Sequence, residues 1–500
     1  MRQVLDRVTG RVTMYRLVTL SLLVIAVAAL LLSALGQLPY TAPEVAASLA
    51  VAVVSTVVVG RLFALVFRSR PHTESSVITA LLLFLLFWPS LEPVDLGVLA
   101  LAGALATASK YLIAWRGRHI LNPAAAGATL VALLGFDSAV WWVATGALLP
   151  LVVVGAFLVL YRTRRLPLGL VFIVVASAIL TARLTVGGQD VADAFSTSLV
   201  SYPVIFFAGF MLSEPLTLPP RRWQQLALAV IVAVLFTVPF SFGPIYLSFE
   251  FALVIGNVLA FLVGQRRGIR LSLVESTRLT PTAWRFAFQP AKPVDFRPGQ
   301  YLELSLPHSR ADTRGSRRMF SIASAPSPDG PISVALRTHE RSSSFKRAVL
   351  ELPPGATLTA TSVGGDFLLP RDPAVPVLLV AGGIGITPFL SQLAHDRASG
   401  VDRDVVLVYA VGSLEELAFT DELRDETVLL VAPTAPAELP GAWRWIGAGP
   451  ISRELLDREV ADLRTRTAFV SGAPHTVTAV RRHLRSLGVR RVRTDYFSGY

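Results

Sequence analysis

The sequence predicts a multi-domain protein: an α-helical polytopic membrane domain of about ten helices, fused to an antiparallel β-barrel domain and then to an α/β domain with a parallel sheet. Three observations carry this. Of 500 residues, 53% are hydrophobic and only 16% charged, far from a soluble globular average. Apolar stretches of spanning length recur through the first half and stop near residue 267. Beyond that point the pattern turns to period-two alternation, and then to strand–helix alternation. The boundaries fall at 1–267, 268–371 and 372–500.

Composition removes several classes. There is no cysteine, so the chain holds no disulfide, thiolate-bound iron–sulfur cluster or Cys zinc site. The net charge of +12 invites a nucleic-acid reading, but the excess sits in the apolar half. Residues 1–267 hold 18 basic and 10 acidic side chains, against 28 and 24 in the remainder. A basic excess between apolar spans is a topology signal.

Long apolar stretches lie near 17–35, 44–67, 94–115, 139–161, 166–184, 195–213, 222–240 and 246–264. Two shorter runs, Ser76–Trp88 and Pro123–Phe136, suit short or broken helices. With the N-terminus inside, alternate loops carry Arg68 and Arg70; Lys110, Arg116 and Arg118; Arg162, Arg164 and Arg165; Arg221 and Arg222; Arg266 and Arg267. The opposite loops carry Glu92, Asp95, Asp137, Asp190 and Asp193, with Arg183 the exception. The pattern places a multi-pass protein in the cytoplasmic (inner) membrane, with its N-terminus and polar half in the cytoplasm. No small-residue cleavage site follows the first stretch, so it reads as a span and not as a signal peptide.

Polar residues at membrane depth are costly and mark function by default. Ser76 and Thr79 follow Glu74-Ser75 at the start of the first short helix, Asn122 opens the second, Glu214 and Thr217 close a span, and Asn257 lies within the last. Each alone reads equally well as a helix cap or an interhelical hydrogen bond. Together they predict a polar cavity, suited to an anionic or carbonyl-bearing ligand.

The stretches Ser75-Ser-Val-Ile-Thr-Ala-Leu-Leu-Leu, Arg118-His-Ile-Leu-Asn-Pro-Ala-Ala-Ala-Gly127 and Met211-Leu-Ser-Glu-Pro-Leu-Thr-Leu-Pro-Pro220 resemble a known family of membrane proteins. That family holds homologous membrane components of the sodium-translocating NADH:quinone reductase (Nqr) and of the Rnf electron-transport complex. The resemblance implies about ten helices in two related halves and a flavin-bearing electron conduit. The family's Ser-Gly-Ala-Thr flavin-attachment motif is absent here. The expectation is therefore a non-covalent flavin or a quinone in the membrane domain.

In the polar half, Leu271-Ser-Leu-Val-Glu, Trp284-Arg-Phe-Ala-Phe, Tyr301-Leu-Glu-Leu-Ser-Leu and Ile332-Ser-Val-Ala-Leu read as barrel strands. Pro298-Gly299 makes a turn before the third of these. The run Val377–Val380 leads into Gly382-Gly383-Ile-Gly385-Ile-Thr387-Pro388 and a helix, and Val405–Tyr409 and Ala468–Ser471 are further buried strands. A glycine turn between strand and helix lets backbone amides approach a pyrophosphate.

Arg318-Met319-Phe320-Ser321, Ser342-Ser343-Ser344-Phe345, Gly365-Asp366-Phe367, the glycine turn and Ser471-Gly472-Ala473-Pro474 occur in an order that resembles the ferredoxin–NADP reductase superfamily. The resemblance covers about residues 270–500. It implies FAD held by Arg318, Met319, Phe320, Ser321, Ser342, Ser343, Ser344, Gly365 and Phe367, with Arg318 on the diphosphate and Ser321 near flavin N5. It implies NAD(P)H held by Gly382, Gly383, Gly385, Thr387, Pro388, Gly472 and Pro474. Ser471 replaces the family's Cys. Phe497 or Tyr500 would cover the second flavin face, Phe497 being preferred. Ser321, Ser471 and Phe497 are thus the expected catalytic set. After the second sheet strand, Ser413-Leu-Glu-Glu416 offers two acids and no cation, which favours NADH over NADPH.

Combined, the halves predict a membrane-bound NAD(P)H-dependent flavin oxidoreductase. It would pass electrons to a membrane quinone, a bound flavin, or a flavin-carrying electron-transfer protein beyond the bilayer. A redox-coupled ion or solute transporter is the alternative of another class, with Glu74, Glu214 and Glu250 as its acids. A haem-type ferric reductase or NADPH oxidase needs paired histidines at depth, and the first half offers only His72 and His119.

Overall fold

The computed structural model describes residues 14–67, 73–115, 118–136, 139–242, 245–265, 268–308, 312, 316–339 and 342–497. Two compact units divide between the last helix of the apolar half and the strand that begins at Ile269.

The first unit is a helix bundle: α1 (Met14–Ala34), α2 (Ala42–Val66), α3 (Thr73–Leu86), α4 (Pro93–Leu112), α5 (Pro123–Leu133), α6 (Leu149–Arg162), α7 (Leu166–Val186), α8 (Val191–Val200), α9 (Val204–Phe206), α10 (Arg222–Thr237) and α11 (Phe249–Ala260). Between them lie two small ladders, β1 (Ala114–Trp115) with β2 (Arg118–His119), and β3 (Ser241–Phe242) with β4 (Ile245–Tyr246). Among the described residues, α1, α2, α4 and α7 are long and apolar enough to cross a membrane. A bent pair, Val191–Val200 with Val204–Leu212, would make a fifth span, its halves inclined by 48°. Five further apolar helices are shorter. Apolarity runs around the helices: in α1, Leu22, Ile25, Ala26 and Ala29 are buried while Leu20, Val24, Val27 and Leu31 are exposed. Helices meet closely at small residues. A Cβ on Gly127 would stand 2.4 Å from the Ala102 carbonyl, and one on Gly209 would stand 2.3 Å from Ala156 Cβ.

The apolar run 139–161 is only partly helical. Trp141 adopts a left-handed φ of 57°, and α6 starts at Leu149. The first residues of the run are apolar because they enter the core. Trp142 Nε1 donates to the Phe84 carbonyl (2.7 Å), and Trp141 Nε1 donates to the Glu250 carboxylate (3.1 Å).

In the second unit, β5 (Ile269–Arg278), β6 (Ala283–Pro290), β7 (Tyr301–Ser305), β8 (Arg317–Ser321), β9 (Ile332–Arg337) and β10 (Thr357–Gly364) form an antiparallel sheet in the order β8-β7-β10-β5-β6-β9. An Ile322–Val334 bridge nearly closes it into a barrel. Phe286, Phe288, Leu302, Leu304, Phe320 and Phe345 fill its interior. The helix α12 (Ser344–Leu350) follows β9, with Ser343 Oγ accepting from the Lys346 amide as its cap.

The α/β part holds β11 (Val377–Gly382), α13 (Thr387–Ala398), β12 (Val405–Ala410), β13 (Val428–Val431), β14 (Arg444–Gly447), α14 (Arg453–Glu459), β15 (Thr467–Gly472), α15 (Pro474–Ser486) and β16 (Val492–Tyr496). The strands are parallel, in the order β14-β13-β12-β11-β15-β16. The chain winds outward from β11 to β14 and then returns to its other side with β15. The switch point therefore lies between the ends of β11 and β15. Barrel and sheet are joined at a dry seam. Phe367 packs between Phe389 and Phe469, and its carbonyl accepts from Gln392 Nε2 (2.6 Å). Ser391 Oγ donates to the Ser324 carbonyl (2.7 Å).

Phe469 is fully buried in this seam. Phe469→Ala is expected to destabilise the second unit by about 3–5 kcal/mol, read as a lowered melting temperature; a shift within error would mean that the seam adds little to stability.

Candidate functional site

Two sites are built independently, one in each unit. In the second unit, the strand ends at the switch point approach so closely that only glycine fits. A Cβ on Gly385 would stand 2.5 Å from the Ser471 carbonyl and 2.6 Å from Gly472 Cα. Gly472 takes φ 146°, and a Cβ there would meet Gly382 backbone atoms at 3.0–3.2 Å. Gly383 takes φ 54° on the turn's open side, where a Cβ would meet only Arg337 Nη1, at 3.9 Å. Thr387 and Pro388 are buried at the base of α13, and Thr387 Oγ1 donates back to the Ile384 carbonyl (3.1 Å). Pro474 opens α15 directly after Gly472-Ala473.

Strand β16 completes the junction. Ser471 pairs with Asp495 and Gly472 with Tyr496, and the Phe497 amide donates to the Gly472 carbonyl (2.8 Å). Phe497 is thereby anchored beside Ser471, whose buried hydroxyl has no hydrogen-bond partner among the described residues. The Ser321 hydroxyl, from the barrel, lies near enough to the Asp495 carboxyl to favour its charged form. Burial, reinforced by nearby Asp366, nevertheless pushes that carboxyl up to about 6, against the opposing influence of the Tyr496 backbone and Ser321. The structure thus gathers Ser321, Ser471 and Phe497 and adds Asp495, whose acid character was not separable from its surface-like sequence setting. Tyr500 lies outside the described residues.

On the barrel side, Arg318 is buried, with its guanidinium 3.6 Å from Asp312 and 5.5 Å from the Phe345 ring centroid. Phe320 packs into the barrel core against Phe345, whereas Met319 points outward and is 61% exposed. Ser342 Oγ accepts from the His339 amide (2.7 Å), Ser343 caps α12, and Ser344 Oγ accepts from the Asp312 amide (2.8 Å). Gly365, with φ 111°, lies against the Tyr301 ring, and Phe367 belongs to the seam. Sequence reasoning missed Arg337. It ends β9 far along the chain from the glycine turn that it overhangs.

In the bundle, Asn122 ties the polar positions together. Its backbone amide donates to Asn257 Oδ1 (2.7 Å), its Nδ2 donates to Glu214 Oε2 (2.9 Å), and its Oδ1 accepts from the Ala125 amide (3.1 Å). Glu214 Oε1 lies 2.7 Å from His119 Nε2. Arg118 donates to the Leu216 and Pro215 carbonyls, and Lys110 Nζ donates to the Ser75 carbonyl and hydroxyl. A pocket opens beside this cluster, lined by the polar Thr79, Asn122 and Glu214 and by the apolar Val18, Leu82, Val159 and Phe210. Ser76, Thr217 and Asn257 are buried but do not line it; Asn257 is taken up by the Asn122 amide. Ser76 sits against Gly60, and Thr217 Oγ1 donates to the Glu214 carbonyl.

No family model matches the chain. Its C-terminal half matches ferredoxin–NADP reductase-type FAD/NAD-binding oxidoreductases. The chain is 27% identical over 228 residues to the NADH oxidoreductase HCR of Escherichia coli, covering 46% of this chain and 67% of that protein. It is also 27% identical over 212 residues to a Ralstonia ferredoxin–NAD(P)(+) reductase component of naphthalene dioxygenase and salicylate hydroxylase systems, covering 41% of this chain and 61% of that one. Among solved structures, an Amycolatopsis cytochrome P450 reductase, GcoB, is 24% identical with a TM-score of 0.40, over 46% of this chain and 70% of that one. The chain spans about two thirds or less of the length of these curated relatives.

The raised Asp495 has a stability consequence. Its folded value exceeds its unfolded value, so its contribution is intact below about pH 4 and is lost as pH rises through 6. Asp495→Asn should therefore melt higher than the parent at pH 7, by up to about 3 kcal/mol, with the gap closing at pH 4; a gap independent of pH would refute the assignment.

Proposed function

We propose that the chain is a membrane-bound NAD(P)H-dependent flavin oxidoreductase. It takes hydride from NADH in preference to NADPH onto FAD, and passes electrons to a quinone or flavin acceptor in or beyond the membrane. The observation that supports this most is the junction at the ends of β11, β15 and β16. There the Ser321 hydroxyl, the Asp495 carboxyl, the unbonded Ser471 hydroxyl and Phe497 converge on glycine-only backbone. The Escherichia coli and Ralstonia relatives, named as an NADH oxidoreductase and a reductase component, point the same way.

FAD, when bound, accepts a two-electron hydride and can release the electrons singly. The chain's own residues do the rest. Arg318, steered by Asp312, would hold the diphosphate by a charge-assisted contact. Ser321 would face the reacting edge of the ring, and Asp495 behind it would hold a proton there. Ser471 would bond the nicotinamide, and Phe497 would exclude water from the second face until the nicotinamide enters. The backbone of the Gly382–Gly385 turn, with Pro474 opposite, would cradle the dinucleotide.

The apolar bundle, with exposed apolar residues on its outer surface and basic loops alternating along the sequence, supports about ten crossings in an inner membrane and a cytoplasmic reductase. The cavity lies where α1, α3 and α5 start and where α6 ends, which is the cytoplasmic end in that topology. The final helical turn also reaches that end, since Gly264 abuts Pro220. An acceptor head in the cavity would meet Asn122, Thr79 and Glu214, whose carboxylate is paired with His119. The Glu214 carboxylate favours a neutral carbonyl head over a phosphate-bearing one, and therefore a quinone.

In proteoliposomes driven by NADH, Glu214→Gln should lower the ratio of quinone reduction to ferricyanide reduction by about tenfold or more, since ferricyanide needs no proton. An unchanged ratio would place the acceptor elsewhere.

A further inference from the structure

We propose that Glu416 is a built-in rival of the nicotinamide dinucleotide for Arg337, and that this competition sets how tightly the dinucleotide binds and how far NADH is preferred over NADPH. The proposal rests on the reductase reading above.

Arg337 ends a barrel strand, but its guanidinium reaches the α/β sheet, where Nη2 pairs with Glu416 Oε1. On the way it overhangs the glycine turn: Nη1 lies 3.9 Å from the position of a Cβ on Gly383, on the turn's open side. Its Nε is buried and has no hydrogen-bond partner among the described residues, so part of its donor fork is unused there. This is where backbone amides and a cation together would receive a diphosphate.

Glu416 is placed to contest that position. It ends the short helical turn Leu414–Glu416 after β12, and its Oε2 lies 3.2 Å from the position of a Cβ on Gly412. The carboxylate is thus folded back over the strand end that carries the adenosine ribose in a dinucleotide fold. Any side chain at 412 would crowd it. A second cation is close by, since Lys346 Nζ donates to the Arg337 carbonyl (2.7 Å). Tyr409 lies beneath, fully buried, and burial raises its hydroxyl well above its ordinary value, so it carries no charge. The negative charge that meets Arg337 here comes from Glu416.

The chemistry follows. A diphosphate brings two negative charges to the guanidinium, against the single charge of the carboxylate that it displaces. Once released, Glu416 faces the ribose edge. A 2′-hydroxyl can donate to it, whereas a 2′-phosphate is repelled. One acid therefore acts twice, first as a stand-in anion and then as a filter.

The test uses the full-length protein in detergent, with anaerobic stopped-flow bleaching of the flavin by NADH and by NADPH. Glu416→Gln should tighten NADH by about threefold and NADPH by about tenfold or more, narrowing the preference. Glu416→Asp, which keeps the charge, should hold the parental preference. Arg337→Gln should weaken both nucleotides by about tenfold, and the double variant should bind NADH as Arg337→Gln does, because no contest remains, while losing the discrimination against NADPH. If Glu416→Gln weakens both nucleotides equally, or leaves their ratio unmoved at normal flavin content, the pair merely ties barrel to sheet and the proposal is overturned. If neither nucleotide bleaches the parent protein, the reductase reading itself falls.

Discussion

The reductase unit depends on the near-contact of two strand ends across the switch point of its sheet. The Gly385 and Gly472 backbones lie where any side chain would meet main-chain atoms at 2.5–3.2 Å. On the far side of β15 lies β16, whose register stands Asp495 beside Ser471. The barrel then needs only to present Ser321 across the seam, which the Phe367, Gln392 and Ser391 contacts fix. Replacing the glycines would disturb all of these at once, because the neighbouring atoms are backbone and cannot turn aside.

The bundle uses the same device in an apolar setting. Helices broken or begun inside the unit expose amides and carbonyls that have no water to bond. Asn122 and Arg118 meet that need, the first by capping α5 and holding Glu214 and Asn257, the second by donating to the carbonyls of Pro215 and Leu216. Glu214 is left with one face toward a cavity and His119 on its other oxygen. A polar cluster so connected holds its geometry, and a cavity beside it can orient a ligand.

Much of this was legible in the sequence, for physical reasons. Period-two alternation marked β5, β6, β7 and β9, because each has one face in the barrel core. The short strands β13 and β14 were not visible, since a buried four-residue run looks the same in a strand or a helix. The glycine turn and Ser471-Gly472 were readable because only glycine suits their backbone. Asn122, Glu214 and Asn257 stood out as polar residues in apolar runs, and the structure joins them. Ser76 and Thr217 looked alike in sequence but are placed in helix contacts, because polarity alone does not say which way a side chain faces. Long-range pairings escaped altogether. Glu416 read as a free acid near the ribose edge, yet Arg337, far back in the chain, neutralises it. Trp141 read as part of a span, yet its ring is a core element and its backbone is left-handed.

The most direct measurement is an absorption spectrum of the detergent-purified protein before and after anaerobic addition of NADH. Flavin bands that bleach, without a Soret band, are the expected result. Their amplitude per protein gives the number of flavins and so shows whether the membrane unit carries one. A Soret band, or flavin that NADH fails to bleach, would contradict the electron path from nicotinamide through the reductase unit to the membrane.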